Sequence, residues 1–227
     1  MHLRALPQQM AVGAALWNRL TIDRERVANP AGRGSICTVH TTVRVSHPNT
    51  GAPRKIVVKG TSGAGKSTFA AELACRLHLA YVELDALHHG PNWSEPTPEE
   101  FRARVSGAMT AASCGWVIDG NYDTRLGETV VDAADTIVWL DLPLWIKLRR
   151  VWRRTLHRIR DDVELWGGNR ETWRDQFLSR QSIFIWTIHA HVQHRRRWPA
   201  RFGQDDRLVR LRSVTAIHRW LDEEANA

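Results

Sequence analysis

Long apolar runs are absent from this sequence. A membrane-spanning helix needs roughly 18 or more consecutive apolar residues, and the longest candidate, residues 10–17, is much shorter. No convincing small-residue cleavage site follows that run, which argues against a secretory signal peptide. The 227 residues and the 43% hydrophobic content suit one globular α/β domain with room for an appendage.

Cysteine is also scarce. The three cysteines, Cys37, Cys75 and Cys114, are far apart and form no Cys-x-x-Cys pair. This number and spacing predict ordinary thiols in a reducing compartment rather than a disulfide framework or a zinc site. We therefore expect a cytoplasmic protein without a membrane partner.

Lysine is the third scarce residue, and its scarcity affects how the charge is interpreted. The formal net charge is +8, yet nearly all of the positive charge is arginine, and the only lysines are Lys55, Lys59, Lys66 and Lys147. Excess basic charge can mark a partner that is nucleic acid or a phosphorylated ligand. Arginine-rich composition beside abundant alanine and tryptophan also indicates a GC-rich coding sequence. The compositional interpretation is favoured, and nucleic-acid binding stays open.

The organisation of the chain changes near residue 55. Residues 1–54 are broken by prolines and glycines and predict an irregular or partly disordered extension, with a strand over Thr38–Ser46 and a short helix over Ala11–Leu20. From Lys55 onward, apolar strands alternate with helices. Strands are predicted over 55–59, 81–84, 116–118, 136–140 and 208–211, and helices over 66–78, 143–160, 171–195 and 214–223, with a further helix starting at Thr97. This alternation predicts a parallel sheet with helices on both faces.

A glycine-rich turn joins the first predicted strand to its helix. The segment 60–67, Gly-Thr-Ser-Gly-Ala-Gly-Lys-Ser, fits G-x-x-x-x-G-K-[ST] in the strand–turn–helix context that a phosphate-binding loop requires. Its glycines let backbone N–H groups point at phosphate oxygens, and the helix adds its positive dipole end. Lys66 would bridge the β- and γ-phosphates of ATP, and the Ser67 hydroxyl would ligate Mg²⁺. The expected ATP-binding residues are Gly60, Ser62, Gly63, Ala64, Gly65, Lys66, Ser67 and Thr68.

Three carboxylates follow predicted strands, at the sheet edge where ligands of α/β proteins bind. Asp119 and Asp141 are alternatives for the acidic group that holds Mg²⁺ or its waters. Asp119 is favoured because Asp-Gly-Asn can turn sharply after its strand. Asp85 is a candidate for positioning the acceptor or acting as its general base, or else caps a turn. His88 and His89 are predicted to be loop residues. His189, His191 and His194 are predicted to lie on a solvated helix.

The helix predicted over 143–160 is strongly basic. Arginines four residues apart lie on the same side of a helix, so Arg149 and Arg153 form one basic ridge and Arg150 and Arg154 form another. The buried stripe is predicted at Leu144, Leu148, Val151 and Ile159. Most of these arginines should be solvated, but one or two are expected to stabilise the transferring phosphoryl group. The following segment, about 160–172 with Trp-Gly-Gly at 166–168, predicts a mobile lid that excludes water when it closes.

Taken together, these motifs resemble the adenylate-kinase-related P-loop kinases, in particular the group often labelled DNA topology modulation protein. The resemblance rests on the phosphate-binding loop, on Leu84–Leu87 with Pro91-Asn92-Trp93, on Trp116–Tyr122 and on Asp135–Pro143, and it leaves the first 54 residues unmatched. It implies that the loop binds ATP and that a lid carries arginines, and it supports site roles for Asp85, Asp119, Arg149 and Arg153. Adenylate kinases have Asp-Gly-Phe-Pro-Arg where this chain has Asp-Gly-Asn-Tyr-Asp at 119–123, which argues against AMP as the acceptor.

The sequence therefore predicts an α/β, three-layer P-loop NTPase fold over residues 55–227. It would contain a parallel sheet of about five strands, helices on both faces and a short helical lid. The predicted activity is transfer of the γ-phosphoryl group of ATP, with Mg²⁺, to a small-molecule or nucleotide acceptor. The alternative is a nucleotide-binding regulator that contacts nucleic acid through the arginine-rich helix.

Overall fold

The computed structural model describes residues 54–170, 172 and 182–225. The predicted extension therefore lies outside the described residues, apart from Arg54, which begins the first strand. The strand predicted at Thr38–Ser46 and the helix predicted at Ala11–Leu20 lie outside them as well.

A parallel sheet forms the centre of the described chain. Its five strands lie in the order β2-β3-β1-β4-β5, and every neighbouring pair is parallel. This confirms the predicted sheet, and the strands are β1 (Arg54–Lys59), β2 (Ala80–Glu83), β3 (Gly115–Asp119), β4 (Thr136–Leu140) and β5 (Leu208–Leu211). Because β1 is central, the loop that follows it leaves the middle of the sheet's carboxyl edge, between the ends of β3 and β4.

Helices connect successive strands, as parallel pairing requires. They are α1 (Lys66–Arg76), α2 (Leu84–His88), α3 (Pro98–Ala111), α4 (Asp123–Leu126), α5 (Thr129–Ala133), α6 (Leu144–Arg160), α7 (Ile183–Phe202) and α8 (Val214–Ala225), with 3₁₀ turns at Pro91–Trp93 and Trp166–Gly168. The short helices α2, α4 and α5 were not predicted, because so few residues carry little periodicity. The start of α3 is as predicted, with a capping box between Thr97 and Glu100.

Each face of the sheet carries its own apolar core. Along β1, Val57 faces one core while Ile56 and Val58 face the other. Helices α3, α5 and α7 contribute to the first core, and α1 and α8 to the second. A strand that is buried on both faces has a continuous run of apolar residues in the sequence, and the central strands of this sheet have such runs. The resulting three layers are the P-loop NTPase fold.

Helix α7 differs from its prediction at the carboxyl end. It continues through Pro199 to Phe202, beyond the predicted end at Arg195. Trp198 and Phe202 are buried in the core. Tertiary burial therefore holds the last turns in helical form, which local sequence signals did not indicate. Most of the predicted segment before Ile183 lies outside the described residues.

The cysteines only partly follow expectation. Cys114 is a free, exposed thiol, but Cys75 is disulfide-bonded, so the prediction of three ordinary thiols is wrong there. In the part of the chain that the structure describes, no helix has the length and apolar content needed to cross a bilayer.

Candidate active site

The loop after β1 has the backbone of a phosphate cradle. Gly63 and Gly65 have φ angles of +76° and +92°, which side chains other than glycine rarely adopt. Gly65 is also the N-cap of α1, and its carbonyl accepts a hydrogen bond from Phe69 N at 3.0 Å. The first amides of α1 are therefore left without partners within their own helix, as anion binding at a helix N-terminus requires.

Neighbouring elements hold this loop in place. Asn121 Nδ2 donates to the Gly60 carbonyl at 2.6 Å, and the Arg150 guanidinium donates to the Ala64 carbonyl at 3.1 Å. A Cβ at Gly63 would lie 2.4 Å from the Lys147 carbonyl oxygen, so α6 packs directly against the loop. Asn121 and Arg150 were not predicted as site residues, because these contacts form between distant parts of the chain.

Lys66, Ser67 and Asp119 come together at the carboxyl edge of the sheet. Asp119 is 3% exposed, and Ser67 lies close enough to influence its pKa. Burial raises the pKa of Asp119 to about 7, although Lys66 and Ser67 oppose the shift. Burial lowers the pKa of Lys66, while Asp119 and Asp85 act in the opposite direction. These three side chains thus lie close together, with Asp119 buried, Lys66 half-buried and Ser67 exposed.

Asp119 and Asp141 were alternatives for the acidic metal ligand, and their surroundings differ. Asp141 is 1% exposed, and its carboxylate accepts hydrogen bonds from Arg195 at 3.0 Å and Arg210 at 2.6 Å. The Arg210 guanidinium also lies 4.1 Å from the centre of the Trp139 ring. Asp141 therefore ties α7 and β5 to β4, whereas Asp119 adjoins the phosphate-binding loop.

The groups around the loop fit a triphosphate and a magnesium ion. Thr61 Oγ1 is buried and finds no hydrogen-bond partner among the described residues, which suits a loop that closes around a ligand. Ser67 and Asp119 offer two hard oxygen ligands. The described chain holds no group of three or more histidine, cysteine or acidic side chains arranged for a metal. Mg²⁺ would take its remaining ligands from phosphate and water oxygens, its usual coordination in such sites.

A second group of carboxylates lies at the end of β2. Glu83 pairs in register with Asp119, and Asp85 follows in the first turn of α2. Neutral side chains donate to both: Tyr122 Oη to Asp85 Oδ1 at 2.7 Å, and Trp166 Nε1 to Glu83 Oε2 at 3.2 Å. Sequence reasoning identified Asp85 but missed Tyr122 and Trp166, whose donors reach Asp85 and Glu83, respectively, only through tertiary folding.

Aromatic rings surround these carboxylates. His88 is buried, with its ring 4.6 Å from that of Tyr122 and 5.1 Å from that of Phe101. The His89 ring lies 5.5 Å from Trp93 and 5.7 Å from Trp166. His88 belongs to α2, so its prediction as a loop histidine is wrong. Burial lowers its pKa, as does the adjacent His89.

The predicted lid segment packs against the residues that follow α2. Asn169 is 5% exposed; its side chain donates to the Gly90 carbonyl at 2.9 Å and accepts from Trp93 N at 2.8 Å. Gly167 approaches so closely that an added Cβ would lie 2.5 Å from the Gly90 carbonyl carbon. Residues 166–169, hereafter the docked turn, thus form one wall beside Glu83. Lid motion stays a prediction.

The two arginine ridges of α6 lie in different surroundings. Arg150 contacts the phosphate-binding loop, and Arg154 is close enough to Lys66 to lower its pKa. Arg149 and Arg153 line a shallow surface pocket that Arg150 also reaches, together with Trp145, Ile146 and Val214. The structure brings the 150–154 ridge to the loop, and a phosphoryl contact by Arg149 or Arg153 stays a prediction.

Helices α6 and α7 share a buried basic cluster beside the loop. The buried residues of α6 are Lys147, Val151 and Thr155, so the predicted apolar stripe is confirmed only at Val151. Lys147 Nζ lies 2.8 Å from His191 Nδ1, and burial lowers the pKa of Lys147 to about 8. His191 is 8% exposed, which contradicts its predicted solvation. His194 stacks on Trp198 with ring centres 4.0 Å apart, and burial lowers its pKa to about 4.

No model of a known protein family matches the chain, and no curated protein matches it in sequence. Among 162 matching chains of solved structures is a gluconokinase from Sinorhizobium meliloti 1021, with 17% identity and a TM-score of 0.45. The match covers 77% of this chain and 90% of that one. A likeness this distant assigns no substrate, so any functional conclusion rests on the residues of the site.

Proposed function

We propose that the chain is an ATP-dependent phosphotransferase that moves the γ-phosphoryl group to the hydroxyl of a small acceptor. The observation that carries the proposal is the cluster of Lys66, Ser67 and Asp119 at the phosphate-binding loop, with Asp85 close enough to influence the same charges. Lys66 and the loop provide the binding half of the site. Asp85 provides the acid–base group that transfer to a hydroxyl needs.

The loop amides would hold the phosphates of ATP, and Lys66 would bridge the β- and γ-phosphates. Burial lowers the pKa of Lys66, and a bound phosphate would favour its charged form by supplying an opposite charge. Ser67 and Asp119 would hold Mg²⁺, which supplies charge neutralisation at the phosphate oxygens.

The acceptor side would consist of Asp85, Tyr122 and the docked turn. Tyr122 orients the Asp85 carboxylate through its 2.7 Å hydrogen bond, and Asp85 would take the proton of the acceptor hydroxyl. Arg150 and Arg154 are the arginines best placed to stabilise charge on the phosphoryl oxygens. The docked turn would keep water from the transfer site. We expect this activity in the cytoplasm, where ATP is abundant.

Calorimetric titration with Mg·ATP tests the binding half of the proposal. Lys66→Ala should abolish measurable binding, because the loop would lose its only lysine. Lys55→Ala removes an exposed lysine at the start of β1 and serves as the matched control, with wild-type affinity expected. Undiminished binding by Lys66→Ala would contradict the proposal.

A further inference from the structure

One short turn after β3 contacts both halves of the proposed site. Residues 119–122, hereafter the linking turn, run from the end of β3 to the start of α4. The turn begins at Asp119, which lies close to Lys66, and it ends at Tyr122, which donates to Asp85. The nucleotide side and the acceptor side of the site therefore meet along a single turn of the chain.

Asn121 holds the first residue of the phosphate-binding loop by both of its backbone groups. Its Nδ2 donates to the Gly60 carbonyl at 2.6 Å, and its Oδ1 accepts from the Gly60 N–H at 3.4 Å. A side-chain amide offers both a donor and an acceptor, so one asparagine can fix a residue in position and in orientation. An added Cβ at Gly60 would lie 3.1 Å from the Leu140 carbonyl oxygen. Because Gly60 is confined in this way, a displacement of the loop acts directly on Asn121.

The opposite side of the linking turn packs against the residues that carry the proposed general base. Gly120 has a φ of +140°, and an added Cβ there would lie 2.8 Å from the Leu84 Cβ. Leu84 is 1% exposed and directly precedes Asp85 in α2. The Tyr122 hydroxyl donates to Asp85 Oδ1 at 2.7 Å. The turn therefore contacts both the backbone before Asp85 and the carboxylate itself.

Tyr122 is held as a neutral donor to Asp85. Burial raises the pKa of the Tyr122 phenol, and the neighbouring Asp85 raises it further, so the phenol stays protonated near neutral pH. The Tyr122 ring is packed in place, with its centre 5.1 Å from that of Phe101 and 4.6 Å from that of His88. The direction of the hydrogen bond to Asp85 therefore follows the position of the linking turn.

Charged contacts anchor the chain directly after the linking turn. Asp123, the first residue of α4, accepts hydrogen bonds from Lys59 Nζ at 2.5 Å and from Arg201 at 3.0 Å. Lys59 is 2% exposed and directly precedes Gly60. Two consecutive residues, Lys59 and Gly60, are thus bound by Asp123 and Asn121. The start of the loop and the linking turn are therefore expected to move together.

We propose that the linking turn couples the binding of Mg·ATP to the position of the Asp85 carboxylate. Asn121 and Tyr122 are the positioning residues in this coupling, the first toward the phosphate-binding loop and the second toward the base. The loop closes on the phosphates and Asp119 turns toward the metal site, so the nucleotide acts on the turn at two points. Tyr122 then aligns Asp85 for the acceptor hydroxyl. This inference rests on the proposed phosphotransferase function.

Fluorine NMR of the full chain labelled with 3-fluorotyrosine tests the coupling before any acceptor is known. The chain has two tyrosines, Tyr81 and Tyr122, and Tyr122→Phe identifies the Tyr122 resonance by removing it. Saturating Mg·ATP should move that resonance by more than its linewidth. In Asn121→Ala at saturation, the movement should be about half of the wild-type value or less, because the tie to the loop is lost. Movement of wild-type size in Asn121→Ala, or none in the wild type, overturns the inference.

Calorimetric titration with Mg·ATP measures the same coupling in unlabelled protein. Asn121→Ala should weaken binding by about 10-fold, the effect of one net hydrogen bond. Coupling is reciprocal, so Tyr122→Phe should also weaken binding, by about 5-fold, although its hydroxyl donates on the acceptor side. Thr129→Ala removes a hydrogen bond from the Thr129 hydroxyl to the Leu126 carbonyl at 2.9 Å. It is the control, and its affinity should equal that of the wild type.

The outcomes distinguish this inference from the proposed function. Wild-type affinity in Tyr122→Phe overturns the coupling. Complete loss of binding in a folded Asn121→Ala also overturns it, since Asn121 would then be a direct nucleotide contact. Both results leave the phosphotransferase proposal standing. Mg·ATP binding that Lys66→Ala does not change overturns the proposed function and, with it, the inference that rests on it.

Discussion

Asp119 and Asp141 show how the same residue type can take two roles after the two strands that flank β1. Both carboxylates are almost fully buried. Asp141 is held by the guanidinium groups of Arg195 and Arg210, whereas Asp119 has the neutral hydroxyl of Ser67 and the nearby Lys66. The first arrangement stabilises a charge permanently, and the second leaves a carboxylate that a metal ion can engage.

Replacing each aspartate by asparagine should separate these roles. Asp119→Asn is expected to weaken Mg²⁺-dependent nucleotide binding by about 10- to 100-fold, as loss of a group that holds a metal or its waters does, without lowering the free energy of unfolding. Asp141→Asn is expected to lower the free energy of unfolding by about 2 kcal/mol, less than for a fully buried pair because both arginines are partly exposed. Calorimetry and urea denaturation measure the two effects. The reverse pattern would assign the metal to Asp141.

Lys147 should give the protein a pH-dependent stability. Its pKa is about 8 in the folded state against an ordinary 10.5, so between these values the unfolded state binds more protons. The free energy of unfolding therefore rises with pH across this window, by up to about 1.4 kcal/mol per pH unit. Urea denaturation of wild type and Lys147→Met, from below pH 8 to 10.5, should show a steeper rise in the wild type, since Lys66, whose pKa is also lowered, is present in both proteins. Parallel profiles for the two proteins would contradict the shift.

At the scale of elements, the docked turn links two segments that are distant in sequence. The Asn169 side-chain amide donates to the Gly90 carbonyl at 2.9 Å and to the Trp166 carbonyl of its own turn at 2.6 Å. Trp166 then reaches Glu83 at the end of β2. The position of this acceptor-side wall therefore depends on how closely the turn approaches Gly90.

Gly167→Ala should displace the docked turn. The new Cβ would meet the backbone of Gly90 at 2.5 Å, and the φ of +67° adds strain. Hydrogen exchange should accelerate at the Trp93 amide, which donates to Asn169 in the wild type, and Trp166 should lose its contact with Glu83. Transfer to the acceptor is expected to slow by about 10-fold or more, as misplaced active-site walls do.

Gly168→Ala is the matched control for that change. Its φ of +78° imposes similar backbone strain, yet its Cβ would meet nothing closer than a glutamate oxygen at 3.8 Å. A difference in exchange rate or activity between the two variants is therefore due to the close contact with Gly90 and not to strain in the left-handed backbone. Equal exchange rates and equal activities would show that docking has no part in catalysis.

For the whole molecule, much of the arginine charge is already paired. Arg54, Arg76, Arg125, Arg195, Arg201, Arg207 and Arg210 each contact an acidic side chain. These internal pairs leave the net charge of +8 unchanged, so the compositional interpretation stays a prediction. Contact with nucleic acid stays a prediction, and a steep salt dependence of DNA binding is the result that would support it.

Mg·ATP should stabilise the whole protein. A ligand present at about 100 times its Kd adds about 2.7 kcal/mol to the free energy of unfolding, which for a domain of this size raises Tm by about 5–10 °C. Thermal unfolding of the wild type should show this shift, and Lys66→Ala should not. A nucleotide-induced shift of equal size in Lys66→Ala would place binding elsewhere on the chain.

Sequence reasoning predicted some features well because their physical causes are local. The strands at 136–140 and 208–211 have the predicted bounds, since β-branched and apolar runs favour buried strands. The capping box at Thr97 is likewise a contact within one turn. Asn121, Tyr122 and Trp166 were missed, because each acts through a partner that is distant in sequence.

The sequence by itself determined the glycine-rich loop after β1, the alternation that builds the sheet and the positions of the strand-end carboxylates. Glycine conformations and apolar periodicity act over a few residues, so they can be read directly. Only the tertiary structure decided which carboxylate has arginine partners, which ridge of α6 touches the loop and which rings surround Asp85. Burial and charge at those sites depend on contacts between side chains that are distant in sequence. The spacing of these residues along the chain therefore does not indicate which of them meet.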